Sequence, residues 1–387
     1  MQEEKLFRKD FVFIIIINFL VFLNHLAILA TFPFYIEALG GSEAVAGMAV
    51  ALFCVVSVVC RPFIGWMLDN GKRKMILAVG LLGMLLMPLG YLFLHTLVLA
   101  FVCRMVHGAA LAFSNTSTAT IATDSVPRSR FAEGMGIFGL ATALATAVAP
   151  AIGLALMEKC GFSVLFLFGS LSIALALVLF FLLKAPNIAV EKKPLSVKGL
   201  FDKNAVPASL TAVVFMFTYG ALENFAAKFA AEKGLPSGGL FFVIMAVTVL
   251  IMRMTAGKVT DRHGEGIFAY SCNIAMFAAF LLLGLFPNTV TYLLAAVLSG
   301  FGFGGLEPAL QSMAVAIAPP EKRGSANSTF LCAYDIGIGI GGGLISSFGY
   351  ETMFTGMSVF NLLSIVIYVL IGRNHPSSFS YRKRMAR

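Results

Sequence analysis

Long apolar stretches alternate with short polar ones along the whole chain of 387 residues. An α-helix needs roughly 20 apolar residues to cross a bilayer, and twelve segments meet that requirement. They cover residues 11–38, 43–68, 74–95, 97–124, 130–159, 162–184, 206–231, 237–262, 266–286, 288–318, 323–349 and 351–373. This pattern predicts twelve transmembrane helices with short connections, which leave no room for a soluble catalytic domain.

The longest polar interruption covers residues 185–205, in the middle of the chain. It separates six predicted helices from the next six. We therefore predict an N-terminal six-helix bundle (1–184), a linker (185–205), a C-terminal six-helix bundle (206–373) and a tail (374–387). The tail is polar and basic, and we expect it to be poorly ordered.

Composition and charge support this interpretation and orient the chain. Hydrophobic residues make up 59% and charged residues 12%, against about 45–50% and about 25% in soluble domains, and the mean hydropathy is +0.91. Of the 28 Lys and Arg residues, 21 lie on the side of the N-terminus and two on the opposite side. The positive-inside rule then places both termini, the linker and the tail in the cytoplasm. The net charge of +9 is therefore no argument for a nucleic-acid partner.

Several classes of chemistry have no sequence signal. The six cysteines are scattered singly, without a CxxC pair or a Cys/His cluster, so neither a disulfide framework nor a metal site is predicted. No Walker motif is present, which makes ATP an unsuitable energy source. No constellation of nucleophile and base is visible either. We expect no cofactor and no enzymatic activity.

The chain contains an internal repeat. Arg61-x3-Gly65-x3-Asp69 recurs 192 residues later as Arg253-x3-Gly257-x3-Asp261, and Gly108 and Pro127 recur as Gly300 and Pro319. Arg128-x-Arg130 corresponds to Glu321-Lys322-Arg323, which implies a small difference in length from there on. Two membrane-embedded halves of one architecture are typical of secondary transporters.

The repeated motif resembles one that is known. Gly65-Trp-Met-Leu-Asp69-Asn-Gly71-Lys-Arg73-Lys74 is similar to the loop motif G-x-x-x-D-x-x-G-R-K of the major facilitator superfamily, with Gly71 one residue early. The resemblance implies an all-α integral membrane protein, with twelve transmembrane helices in two pseudo-symmetric six-helix bundles. It also implies a conformational latch, in which Asp124 would pair with Arg73. The implied gating residues are Gly65, Asp69, Arg73, Asp124, Gly257 and Asp261.

Helix four carries a second resemblance. Arg104-x3-Gly108 is similar to a motif whose arginine is linked to proton transfer in the drug-antiporter branch of the same superfamily. Arg104 lies about seven residues, or roughly 10 Å, below the outer surface. An arginine there is too costly to face lipid. Alternatively, it bonds to backbone carbonyls and ties helices together. In helix five, Ala149-Pro150-x-x-Gly153 stands where exporters usually show G-P-x-x-G, and this departure weakens the inference of antiport.

Three carboxylates interrupt apolar spans. Asp335 lies near the centre of helix eleven, Glu307 near the middle of helix ten, and Glu223 in the outer half of helix seven. Such groups can carry protons, and competition between substrate and proton for one site would couple their fluxes. We assign these three residues and Arg104 to proton and substrate coupling. Alternatively, each acid is permanently protonated and hydrogen-bonded between helices.

Other polar residues are candidates for lining a central cavity. Asn24 and His25 lie at central depth in helix one, and His107 lies one turn from Arg104. His25 is a second candidate proton carrier, and His107 is either a neighbour of Arg104 or a satisfied core histidine. Lys228 in helix seven either extends to the outer surface or recognises an anionic group.

These observations predict a secondary active transporter that works by alternating access. The resemblance favours the branch of drug:proton antiporter-like efflux permeases, with proton-coupled efflux of a small organic or amphiphilic molecule across the cell inner membrane. The expected partners are the substrate, protons and the lipid bilayer, and the expected state is a monomer. An alternative is a dedicated carrier of a polar or zwitterionic metabolite, as exporter or importer. A membrane scaffold or sensor without transport is a further alternative.

Overall fold

The computed structural model describes residues 6–93, 95–184, 194–236, 238–343 and 349–386, and within these ranges it contains helices but no strands. The long helices are α1 (Lys9–Ala38), α2 (Glu43–Asp69), α3 (Arg73–Phe93), α4 (Leu97–Ser125), α5 (Phe131–Leu182), α7 (Val206–Glu232), α8 (Gly238–His263), α9 (Gly266–Leu285), α10 (Thr289–Val315), α11 (Arg323–Gly343) and α12 (Tyr350–Ile367). Two short helices, α6 (Val197–Leu200) and α13 (Phe379–Met385), lie in the predicted linker and tail. The predicted spans therefore agree with the helices to within a few residues, and the last span continues beyond α12 as a π-helical turn, Tyr368–Gly372. Residues 344–348, near the predicted end of helix eleven, lie outside the described ranges.

One interrupted helix, α5, accounts for two of the twelve predicted spans. Helix α5 is 52 residues long, and Gly161 within it has non-helical backbone angles (φ 82°, ψ 173°), so two predicted spans meet there. Ten helices in the described ranges are long and apolar enough to cross a membrane, with α5 counted once and α11 not included. Dividing α5 at Gly161 and adding α11 gives twelve. The all-α membrane fold is thus confirmed.

Polar residues fix the starts of several helices. The side chains of Ser42 and Thr96 accept hydrogen bonds from the backbone N–H groups of Val45 and Leu99, both at 3.4 Å. Asn288 begins α10 with a reciprocal capping box. Inside the bilayer no water can bond to the backbone, so each apolar run must satisfy its own N–H and C=O groups as a helix. The caps bond the first N–H groups, which have no partner within the helix.

Contacts divide the chain into two compact units. Unit 1 consists of Met1–Val126, Ala141–Phe201 and Pro320–Ser328, and unit 2 of Pro127–Leu140, Asp202–Pro319 and Thr329–Arg387. Unit 1 therefore includes the first turns of α11, and unit 2 includes the first turns of α5. The sequence did not predict this exchange of two short segments. The boundary near residue 201 falls inside the proposed linker, of which residues 185–193 lie outside the described ranges.

The 192-residue repeat is visible in helix packing. A Cβ atom at Gly108 would lie 2.5 Å from the carbonyl oxygen of Phe53, and one at Gly300 would lie 2.5 Å from that of Met245. Phe53 and Met245 are themselves 192 residues apart. The same offset relates the 3₁₀ turns Arg128–Arg130 and Pro320–Lys322 and the starts of α5 and α11. The expected difference in length at this point is therefore wrong.

The tail is more ordered than the sequence suggested. Residues Phe379–Met385 form α13, and the carboxylate of Glu265 holds its start. Glu265 is 3% exposed and accepts hydrogen bonds from Ser378 Oγ at 2.6 Å, from the backbone N–H of Phe379 at 3.1 Å and from the Tyr368 hydroxyl at 3.0 Å. A buried carboxylate with three donors anchors the tail to unit 2.

The interruption of α5 can be tested with a matched pair of glycines. Gly161 and Gly356 both have nothing within 4 Å of a built Cβ atom, but only Gly161 has a positive φ. We expect Gly161→Ala to destabilise the protein by about 1–3 kcal/mol because alanine is strained in this region. Gly356→Ala, inside α12, should be neutral or stabilising by up to about 1 kcal/mol.

Thermal unfolding in detergent can be followed with a thiol-reactive dye, because the thiols of Cys103 and Cys272 are buried and form no disulfide. Equal shifts in the unfolding midpoint for the two alanine variants would contradict the assigned backbone conformation at Gly161.

Candidate functional site

The first predicted gating residue, Asp69, binds the start of a helix within unit 1. Its carboxylate accepts hydrogen bonds from the backbone N–H groups of Gly324 at 2.7 Å and Ser325 at 3.0 Å, in the first turn of α11. A Cβ atom at Gly65 would lie 2.6 Å from Ser328 Cβ, so only glycine permits this approach. A negative charge at a helix N-terminus is stabilised by the helix dipole and by N–H donors. We call this arrangement latch 1.

A buried ion network completes latch 1. Arg73 Nε lies 2.6 Å from Asp124 Oδ2, as the sequence led us to expect, and the two side chains are 3% and 1% exposed. Arg73 also donates to the carbonyl oxygens of Leu68 at 2.6 Å and Pro320 at 2.5 Å. The second oxygen of Asp124 accepts from Arg323 Nη1 at 3.1 Å. Asp124 thus lies between two arginines, of which the sequence had suggested only Arg73.

The second motif forms a matching arrangement in unit 2, which we call latch 2. Asp261 accepts hydrogen bonds from the backbone N–H groups of Ala132 and Glu133, both at 2.8 Å, in the first turn of α5. A Cβ atom at Gly257 would lie 2.5 Å from Glu133 Cα. Ala132 and Glu133 are 192 residues before Gly324 and Ser325. The two aspartates therefore bind equivalent backbone N–H groups.

The charges around the two latches differ. The positions equivalent to Arg73 and Asp124 are Glu265, which holds the tail, and Ala316. In latch 2 the charged neighbours are instead Arg130, bonded to Glu133 at 2.7 Å, and the Lys258 ammonium, 3.7 Å from Glu133. Arg130 and Lys258 are far more exposed than Arg73. Latch 1 thus contains buried charges that latch 2 lacks.

The three predicted membrane carboxylates all belong to unit 2. Glu307 forms an ion pair with Arg253, and the two side chains are 12% and 3% exposed. A Cβ atom at Gly139 would collide with the Arg253 guanidinium, so glycine makes room for this arginine. The sequence placed Arg253 only in the repeated motif. The sequence carries no signal of this pair, because Arg253 lies on α8 and Glu307 on α10.

Two tyrosines lie within electrostatic range of these acids. Tyr334 interacts electrostatically with all three predicted carboxylates, Glu307, Glu223 and Asp335. Tyr219 interacts with Glu223 and Glu307 and stacks on Phe303 with ring centroids 4.1 Å apart. Glu223, Glu307 and Asp335 are half-buried. We call these three acids, together with Arg253, the acidic cluster.

Arg104 occupies a different setting, in unit 1. Its side chain is 0% exposed, and its guanidinium carbon lies 4.5 Å from the ring centre of Phe32 and 4.3 Å from that of Phe53. His25 stacks on Phe53 with centroids 5.0 Å apart, and the rings of His25 and His107 are 6.3 Å apart. The structure therefore brings three predicted residues together, which we call the Arg104 cluster.

Five polar atoms of the Arg104 cluster lack hydrogen bonds to the described residues. Among the described residues none bonds to Arg104 Nε, Nη1 or Nη2, to His25 Nδ1 or to His107 Nε2. Tyr91 interacts electrostatically with Arg104 but is outside hydrogen-bond geometry, and its hydroxyl lies 3.3 Å from His107 Nδ1. The expected alternative, bonding to backbone carbonyls, is therefore wrong for the described residues.

The aromatic rings explain how an arginine is tolerated here. An arginine in the middle of a membrane helix costs about 2.5–3.5 kcal/mol on insertion scales. Each cation–π contact contributes about 0.5–2 kcal/mol. Phe32 and Phe53 together can thus offset much of the cost while leaving every N–H donor of Arg104 available.

The remaining cavity candidates are Asn24, which has a packing role, and Lys228, whose side chain is not described. Asn24 donates to the carbonyl oxygen of Gly169 at 2.8 Å and so joins α1 to α5 within unit 1, which is a packing role. Its Oδ1 atom has no hydrogen-bond partner among the described residues. Lys228 belongs to α7, but its side chain lies outside the described part of the structure.

Comparison with known proteins agrees with this architecture. A family model described as Major Facilitator Superfamily matches residues 14–342 and 234–385. The chain belongs to this superfamily. An uncharacterized MFS-type transporter of Burkholderia pseudomallei (strain 1106a) is 27% identical over 347 residues, covering 84% of this chain and 83% of that protein. The staphylopine export protein of Staphylococcus aureus is 23% identical over 381 residues, covering 92% and 94%.

Solved structures share the fold of this transporter. The human organic anion transporter MFSD10 (TETRAN) is similar with a TM-score of 0.81 at 17% identity, covering 93% of this chain and 99% of that one. A bacterial homologue of the iron transporter ferroportin, crystallised in an outward-facing state, has a TM-score of 0.80 at 16% identity, covering 94% and 99%. At these identities the likeness concerns the major facilitator fold alone.

The difference between the latches predicts unequal sensitivity to neutral substitutions. Asp124→Asn leaves Arg73 and Arg323 without their shared buried counter-charge, and we expect it to cost about 3–5 kcal/mol. Asp261→Asn removes a charge from a helix N-terminus but keeps one acceptor oxygen, and it should cost about 1–2 kcal/mol.

Unfolding in detergent micelles measures both losses under the same conditions. The half-exposed Glu351→Gln variant provides a baseline within about 1 kcal/mol, because its ion pair with Lys233 lies near the surface. A loss for Asp261→Asn equal to or larger than that for Asp124→Asn would contradict the assigned network.

Proposed function

We propose that this transporter couples the export of a small organic molecule to the entry of protons by alternating access. The acidic cluster carries this proposal, because it gathers three carboxylates and an arginine in the membrane-spanning part of one unit. We further propose that the protein lies in the cell inner membrane with both termini in the cytoplasm, as the distribution of Lys and Arg suggests. We also propose that it is a monomer, because one chain already forms both units of the fold.

The ion pair offers a route to coupling. When Glu307 is ionised it neutralises Arg253, and a proton on Glu307 removes that neutralising charge. Arg253 can then attract a neighbouring carboxylate such as Glu223. When it is ionised, Glu307 can instead accept a hydrogen bond from a donor group of the substrate. Proton and substrate would thus compete for the Glu307 carboxylate, which is what obligatory exchange requires. Asp335 shares Tyr334 with this pair and is proposed as a further proton carrier.

The latches supply the proposed gates. Latch 1 holds residues 320–328 in unit 1 through Asp69 and Asp124, and latch 2 holds residues 127–140 in unit 2 through Asp261. Alternating access requires such contacts to form in one state and break in another. Gly65 and Gly257 permit the close approach, and Arg73 neutralises Asp124. Latch 1, with its buried network, is proposed to be the stronger gate.

The direction and substrate class draw on relatives. The staphylopine export protein is named for export, and it covers nearly the whole chain. MFSD10 is described as an organic anion transporter. These names support efflux of an organic molecule without specifying which one.

A second candidate function is a dedicated carrier of a polar or zwitterionic metabolite. The Arg104 cluster favours it, because a buried cation with unused donors suits a substrate that carries an anionic group. This candidate shares the fold, the latches and the acidic cluster with the first. The substrate panel below separates the two candidates.

Substrate-evoked proton movement in proteoliposomes with an imposed pH gradient tests the proposal. The panel contains lipophilic cations, amino acids and carboxylated metabolites. We expect at least one class to evoke proton movement, and Glu307→Gln to reduce it at least tenfold because Arg253 loses its titratable partner. Asp335→Asn and Glu223→Gln should each reduce it by a smaller factor.

Glu351→Gln is the matched control, since it removes a carboxylate from an ion pair at the surface and should leave coupling unchanged. A response restricted to lipophilic cations would favour drug antiport, and one restricted to polar metabolites would favour the dedicated carrier. Substrate flux without proton movement would refute proton coupling. Absence of flux across the panel would favour the scaffold or sensor.

A further inference from the structure

We infer that Arg104, together with His25 and His107, binds the carboxylate of the transported molecule, and that this molecule is an organic acid with an apolar or aromatic body. The inference rests on the proposed transport function and specifies its substrate class. It assigns recognition of the substrate anion to unit 1, whereas the proposed proton exchange belongs to the acidic cluster in unit 2.

Arg104 has no charged partner among the described residues, unlike most of the other buried arginines. Five arginine side chains are buried among the described residues. Arg61 bonds to Thr116, Arg73 and Arg323 share a carboxylate, and Arg253 pairs with a glutamate. Arg104 has no ion pair with any described residue, and the Tyr91 hydroxyl, which interacts with it electrostatically, lies outside hydrogen-bond geometry. Arg253 Nε and Nη1 and Arg323 Nε also lack hydrogen bonds, but among the described buried arginines only Arg104 has all three guanidinium nitrogens without one.

The chemistry of the cluster favours a carboxylate. Cation–π contacts with Phe32 and Phe53 use the positive charge of the guanidinium but none of its five N–H donors. A planar guanidinium matches a carboxylate with two parallel hydrogen bonds. His107 Nε2 and His25 Nδ1 are also unpartnered, and a neutral imidazole can donate one further hydrogen bond.

The internal repeat argues against a purely structural role. The positions equivalent to Arg104, His107 and His25 in unit 2 are Ala296, Ser299 and Phe217. The alignment is secure here because Gly108 packs on Phe53 just as Gly300 packs on Met245. The same helix packing therefore forms in unit 2 without a cation or an imidazole, so the fold itself does not require them.

The surroundings of the cluster suggest the rest of the substrate. Phe32, Phe53 and Tyr91 contribute aromatic rings, and Tyr91 lies against Phe32 and Phe166 with centroids 5.3 Å and 5.4 Å apart. No described carboxylate interacts with Arg104. An apolar or aromatic body would find complementary contacts here, whereas a cationic group would be repelled by Arg104.

Equilibrium binding to the purified protein tests the inference without a pH gradient. The probes are three carboxylates, each with its neutral amide: phenylacetate and phenylacetamide, hexanoate and hexanamide, succinate and succinamide. We expect phenylacetate or hexanoate to bind at least tenfold more tightly than its amide, by calorimetry and by thermal shift. Arg104→Met should abolish this preference, and Arg104→Lys should reduce it because a lysine lacks the planar fork.

Arg262→Met serves as the matched control, because it removes an exposed arginine outside the cluster and should leave binding unchanged. If Arg104→Met does not fold, His107→Phe decides, since it keeps the aromatic packing and removes one donor. That variant should weaken carboxylate binding about threefold or more. Unchanged binding in His107→Phe would then overturn the inference.

Other outcomes also contradict the inference. Equal binding of acids and amides, no binding of any acid, or a preference that survives in folded Arg104→Met protein would each overturn it. Chloride binding as tight as that of phenylacetate would indicate a small inorganic anion instead. Because no proton gradient is used, loss of coupling in proteoliposomes with intact carboxylate binding would refute the proposed function alone, and the reverse would refute this inference alone.

Discussion

A carboxylate at the start of a helix organises both units of this transporter. Asp69 binds two backbone N–H groups of α11, and Asp261 binds two of α5. Each aspartate thereby satisfies donors that a helix start cannot satisfy internally, and the helix dipole adds to the attraction. These bonds explain why residues 320–328 belong to unit 1 and residues 127–140 to unit 2. Glycines 65 and 257 are required because any side chain there would keep the helix start at a distance.

Charges inside a membrane protein must be compensated, and this chain does so in three ways. Asp124 lies between two arginines, Glu307 pairs with Arg253, and Arg104 relies on aromatic rings. The first two pair opposite charges. The third pairs with no described charge and leaves all three guanidinium nitrogens without a hydrogen bond to a described residue. The cost of burying a charge is thus offset by ion pairs at two of these places and by aromatic rings at the third.

The two halves of the repeat share their packing and differ in their charges. Equivalent glycines approach equivalent backbone atoms, and the two aspartates bind equivalent N–H groups. In contrast, Arg73 corresponds to Glu265, Asp124 to Ala316, and Glu307 to Asn115. The helix framework requires small residues where helices cross. Neighbouring positions can carry charged side chains. Each unit could therefore acquire its own polar chemistry on a common framework.

The amino-acid sequence alone determined the number of spans, their approximate bounds, the repeat and the motif of the superfamily, because helix length and apolar runs are local properties. It also indicated the pairing of Arg73 with Asp124 through the resemblance. Tertiary structure decided the ion pair of Glu307 with Arg253, the role of Arg323, the anchoring of the tail by Glu265 and the isolation of Arg104. These features depend on which helices pack together and on which residues lie at the same depth in the membrane. The sequence does not specify this pairing, because the apolar faces of the helices resemble one another.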